Sequence, residues 1–146
     1  MTTPASLRRY AVLLYALSTA FVLRIAGQAI QRWAPVAFLP PFESFQGSDL
    51  PYALLLASQI LILGVMVRYA WRLDCGALVP RHSAGMVLAV MGGAYFAGSL
   101  ARIAIGLLVP EASSWFRAWI SAAFHAVLAL YVVILARYHV VESRPR

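Results

Sequence analysis

The stretch SAGMVLAVMGGAYFAGSLARIAIGLLV, residues 83–109, decides the fold. At about 1.5 Å per residue it is long enough to cross a hydrocarbon core of about 30 Å. Gly85, Gly92, Ser99 and Gly106 recur in it every seven residues, and Tyr95 and Arg102 fall on the same helical side. Small residues let another backbone come close, whereas a charge at that depth needs a partner or water. The stretch therefore predicts the central helix of a membrane bundle, with neighbours packed on its small face and Arg102 turned inward.

The rest of the chain agrees. Of its 146 residues 62% are hydrophobic and 12% charged, against roughly a quarter charged in soluble domains. Four apolar runs, at about residues 10–30, 50–67, 83–109 and 114–137, each have the length of a span. They predict an all-α integral membrane protein with a single membrane domain over residues 1–146, a four-transmembrane-helix bundle. An outer loop at 31–49 and a cytoplasmic loop at 68–82 join the runs. The net charge of +7 comes from arginine alone, as there is no lysine. Most arginines flank the apolar runs, so topology and lipid headgroups account for them and nucleic acid does not. Abundant alanine without lysine suits a GC-rich bacterial genome, and so a bacterial inner membrane.

Arg8 and Arg9 precede the first run, and Ser18, Thr19 and Ala20 imitate a cleavage site. Apolar character continues through Ile25 and Ala26, which favours a retained helix over a signal peptide. Pro35, Pro40 and Pro41 break the helix after the first run, and Trp33, Phe38, Phe42 and Phe45 suit the membrane interface. Ser48 and Asp49 resemble an N-cap with Pro51 in the following turn. Arg8, Arg9, Arg68, Arg72, Arg81, Arg137, Arg144 and Arg146 lie on one side of the membrane, against Arg32 and Arg117 on the other. The positive-inside rule then places both termini in the cytoplasm. Cys75, alone in the sequence, excludes an internal disulfide and a CxxC site.

With that topology the polar residues of all four helices gather in the outer half. Arg24, Gln28 and Gln31 share one face of the first helix. Asp49, Tyr52 and Gln59 line the second, Arg102 the third, and Ser114, Arg117, Ser121 and His125 the fourth. Two readings stay open. In one, Glu43, Asp49 and Glu111 pair with Arg24, Arg102 and Arg117, and the cluster fixes helix register. In the other, Arg24, Gln28, Gln59, Arg102, Ser121 and His125 line an outward-facing pocket for an anionic or amphiphilic ligand, a lipid or quinone. His125 is placed to meet Gln59 or to relay a proton. Haem is the weakest idea: His125 and His139, on one helix and about 21 Å apart, cannot share an iron, which leaves only His82 with His139. No catalytic triad, phosphate loop or metal cluster stands out.

LRIAG at residues 23–27, the proline-rich loop reaching Leu50-Pro51, and QILILGVMVR at 59–68 resemble the DoxX-like and MauE-like group of small bacterial four-helix membrane proteins. The resemblance covers the first half of the chain and implies a bundle acting as a subunit or accessory of a redox or maturation system. Gln59 stands where that group carries a glutamate, and the MauE-type cysteines are missing. The function expected from the sequence is a non-catalytic binding or accessory subunit, partnered by another membrane protein or a second copy. The alternative is a small carrier or lipid- or quinone-binding protein.

Overall fold

Residues 4–46, 50–109 and 111–143 are described by the computed structural model. Among them six helices follow one another: α1 (Pro4–Trp33), α2 (Phe42–Gln46), α3 (Tyr52–Asp74), α4 (His82–Leu108), α5 (Ser114–Arg117) and α6 (Trp119–Glu142). Four of these, over Ser6–Trp33, Tyr52–Asp74, His82–Leu108 and Trp119–Glu142, are long and apolar enough to cross a membrane.

Helix ends follow local chemistry. α1 stops just before Pro35, which has no N–H to give. The Pro51 carbonyl opens α3 by accepting the Leu54 and Leu55 N–H groups at 3.0 and 3.1 Å. The expected cap at Ser48 and Asp49 lies outside the described residues. α3 continues to Asp74, two turns past the apolar run ending near residue 67, because Arg68 and Arg72 are good helix formers. It closes in a Schellman motif: Gly76 has φ of 68°, its N–H donates to the Leu73 carbonyl at 3.0 Å, and Ala77 donates to Arg72 at 2.8 Å. The run expected at 114–137 is two helices, since Ala118 at φ −73°, ψ 63° breaks α5 from α6, and α6 extends to Glu142.

α4 packs along α6, and α1 packs on both α3 and α6. All three contacts are antiparallel. Gln28 meets Gln59 and Trp33 meets Tyr52 between α1 and α3, while Tyr10 stacks edge-on with Tyr138 at 5.7 Å between α1 and α6. The starts of α1 and α4 therefore share one end of the bundle with the finishes of α3 and α6, termed the terminal end. α2 and α5 lie over the other, the cap end. Ala11, Leu14, Phe21, Met66, Leu73, Tyr131 and Tyr138 form the core where α1, α3 and α6 meet.

Of the seven-residue stripe of α4, Gly85, Gly92 and Ser99 are buried and Gly106 is half-buried; Arg102 on the same side is buried too, whereas Tyr95 is exposed. A Cβ on Gly85 would stand 2.9 Å from the backbone nitrogen of Val140, and one on Gly92 2.9 Å from Val132 Cγ1. Small residues at these positions let the α4 and α6 backbones come close and pack tightly.

α3 and α4 behave differently. They are consecutive, yet share no extended contact. The four spans make an open row, α3–α1–α6–α4, with a gap between its two ends.

Candidate functional site

Several polar groupings and a large cleft stand out among the described residues. In the first, the buried Arg24 and Gln28 sit one turn apart on α1. Arg24 donates through Nη1 to Gln28 Oε1 at 3.0 Å and through Nη2 to the Phe45 carbonyl of α2 at 2.8 Å. Gln59 of α3 donates to the same Gln28 oxygen at 3.2 Å. The Arg24 guanidinium lies 5.8 Å from the Phe124 ring centre on α6, so Arg24 ties α2 and α6 to α1 while Gln28 ties α3. Arg24 Nε, Gln28 Nε2, Gln59 Oε1 and Tyr52 Oη are buried without a hydrogen-bond partner.

Arg102 forms the second grouping. Its Nε and Nη2 donate to the Trp115 carbonyl at 3.0 and 2.6 Å, and its guanidinium carbon lies 4.0 Å from the centre of the same residue's ring. In the third, the Tyr95 hydroxyl of α4 hydrogen-bonds His125 Nδ1 of α6, with the rings edge to face at 5.7 Å. Ser121 is buried near the start of α6.

The structure thus joins Arg24, Gln28 and Gln59, and sets Arg102 and His125 in separate contacts between α4 and the segment 115–125. Both guanidinium groups hydrogen-bond backbone carbonyls of the short helices α2 and α5. Glu43 and Glu111 are exposed, Arg117 is exposed, and Asp49 is outside the described residues. His125 meets Tyr95 where the sequence suggested Gln59. Gln31, on the same face of α1 as Gln28, shapes the proline-rich loop instead: its Nε2 donates to the carbonyls of Val36, Leu39 and Pro40, and its Oε1 accepts the Val36 N–H.

The cleft lies elsewhere, in the gap between α3 and α4. It has a volume of about 1220 Å³ and opens sideways, with α6 as its floor. Leu61, Val65, Val87, Leu88, Leu128 and Val132 give it apolar walls. Arg72, Arg81 and His139 stand at its terminal end, and Tyr95 at its other end. Tyr131 donates from the floor to the Met66 carbonyl of α3 at 2.6 Å, and Tyr138 donates to the Leu78 carbonyl at 2.5 Å. His139 Nδ1 accepts the Arg81 N–H at 3.0 Å, which makes Nε2 the protonated nitrogen of a neutral ring.

Sequence reasoning used Arg72 and Arg81 only for topology and passed over Tyr131 entirely. Tyr131 and His139, three and eleven residues beyond Leu128 in the second half of α6, were the available signal. Among the described residues, no three His, Cys, Asp or Glu side chains gather as a metal site. Compared with known proteins, the chain matches no family model, no curated sequence and no solved structure.

Proposed function

We propose that this chain is a non-catalytic multi-pass protein of the bacterial inner membrane, with both termini cytoplasmic, that binds an amphiphilic guest in the cleft between α3 and α4. The observation that carries the reading is the cleft itself. Consecutive antiparallel helices ordinarily pack side by side, and a pocket of about 1220 Å³ exceeds the roughly 300–1,000 Å³ of small-molecule sites. Its walls are apolar and its ends polar, the pattern an amphiphile matches. The arginine distribution supports the orientation. Arg24 and Arg102 act as pins that hold α2 and α5 over the cap end.

Native mass spectrometry of the protein, gently extracted from its own membrane, tests this reading. A defined amphiphile should stay bound, and Ala84→Trp, which fills the cleft from α4, should displace it. Equal retention by both proteins would end the proposal.

A different surface favours a second reading, the accessory subunit that resemblance to DoxX-like and MauE-like proteins implies. Ala89, Gly93, Ala97 and Ala101 are exposed at four-residue spacing on α4, and a Cβ on Gly93 would meet nothing within 4 Å. At 100° per residue, Ala89, Gly93 and Ala97 lie away from the cleft-lining Val87 and Tyr95. Such a stripe suits a helix of another membrane protein or of a second copy. Gly93→Leu should then dissociate the complex seen in mild detergent while the cleft keeps its guest.

A further inference from the structure

The cleft is differently equipped at its two ends, and that difference identifies its occupant more closely. This step rests on the amphiphile reading above. We infer that the guest is a phospholipid with a net negative headgroup, taken from the leaflet at the terminal end, with its phosphate held by Arg72 and Arg81 and its chains lying toward Tyr95.

Charge is the first argument. Arg72 and Arg81 both line the terminal end, and none of the described lining residues is acidic. Asp74 is exposed and stands two residues from Arg72, a spacing that does not put side chains on one helical face. Guanidinium groups bind the phosphate through paired N–H donors, and because the described lining offers two cations and no acid to meet a choline or ethanolamine ammonium, a head of net negative charge is favoured over a zwitterionic one.

Placement is the second. Both arginines are carried on backbone that the fold fixes. The Schellman closure at Gly76 ends the helix bearing Arg72, and the Arg81 amide is bonded to His139 of α6. His139 also lines the cleft and supplies an uncharged N–H donor beside the two cations.

Length is the third. From Arg81 to Tyr95 the α4 wall runs fourteen residues, or about 21 Å. Half a bilayer with its headgroup region measures about 20–22 Å. The cleft therefore spans one leaflet, from the headgroup level to the midplane, which is the reach of one phospholipid.

The test uses the full chain reconstituted in vesicles of equal parts phosphatidylglycerol and phosphatidylcholine with identical acyl chains. After extraction in mild detergent, native mass spectrometry counts the lipid that remains bound. The wild-type chain should retain phosphatidylglycerol over phosphatidylcholine by about ten-fold or more, as two cationic contacts support. In the R72Q/R81Q double variant that ratio should fall to near parity with total lipid largely kept, and R68Q, outside the cleft, should keep the wild-type ratio. Equal retention of the two lipids by the wild-type chain, or an unchanged ratio in R72Q/R81Q, overturns the anionic-lipid assignment and leaves the cleft reading standing. Loss of all lipid from the wild-type chain overturns both. The wild-type ratio alone decides the matter should the double variant fail to fold.

Discussion

Arg102 holds Trp115 twice, donating two hydrogen bonds to its carbonyl while its guanidinium lies over the indole. The flat guanidinium makes both contacts at once, and an ammonium cannot. Arg102→Lys keeps the charge and should still cost about 2 kcal/mol, or about 4–8 °C in melting temperature for a chain of this length. Trp115→Ala leaves the carbonyl in place and should cost about 1 kcal/mol. Thermal melts of the detergent-solubilised protein rank the two; equal losses would show that stacking dominates.

The glycines of the central helix should divide by what surrounds them. A Cβ on Gly106 would fall on the Phe116 carbonyl, and one on Gly85 would press on Val140 backbone. On Gly92 it would meet valine side chains, which have some room to turn, and on Gly93 open space. Alanine at 106 and 85 should therefore destabilise by about 1–3 kcal/mol, less at 92, and not measurably at 93. The same melts check the order.

Two tyrosine hydroxyls tether the walls of the cleft, Tyr131 to Met66 and Tyr138 to Leu78. Replacing both with phenylalanine should remove about 1 kcal/mol each and loosen α3 against α6. Spin labels at positions 65 and 87, in a Cys75→Ser background, should report a broader distance distribution across the gap. An unchanged distribution would show that packing alone holds α3 in place.

Cys75 is exposed in the turn between α3 and α4, at the terminal end. With cytoplasmic termini, a membrane-impermeant maleimide should label it in inside-out vesicles and not in intact spheroplasts. Labelling in spheroplasts would reverse the orientation.

Much of this was legible from residue order. The stripe of Gly85, Gly92 and Ser99 announced the face that α4 presents to α6, because close approach in lipid depends on small side chains. The face of Arg24 and Gln28 likewise led to Gln59. What holds the arginines was not legible, since a carbonyl donated by a short helix far along the chain leaves no mark on composition. Glu43 and Glu111 drew attention as partners, yet both are exposed and the hydrogen bonds went to Phe45 and Trp115. The cleft was hidden for a related reason. Periodicity shows which side of α3 or α4 is apolar, and both sides of these helices are, so nothing in the order of residues said that the two would stand apart.

The row α3–α1–α6–α4 also has a consequence for biogenesis. The bonds that join α1, α2 and α3 lie within residues 24–59, and those joining α4, α5 and α6 within residues 81–139. Each hairpin is complete in its own stretch of chain, and nascent proteins emerge N-terminal half first. The first hairpin can close its internal bonds while the second is still on the ribosome. Assembly then reduces to docking two finished hairpins, with Tyr10 against Tyr138 between α1 and α6 and the Tyr131 hydroxyl on the Met66 carbonyl between α6 and α3.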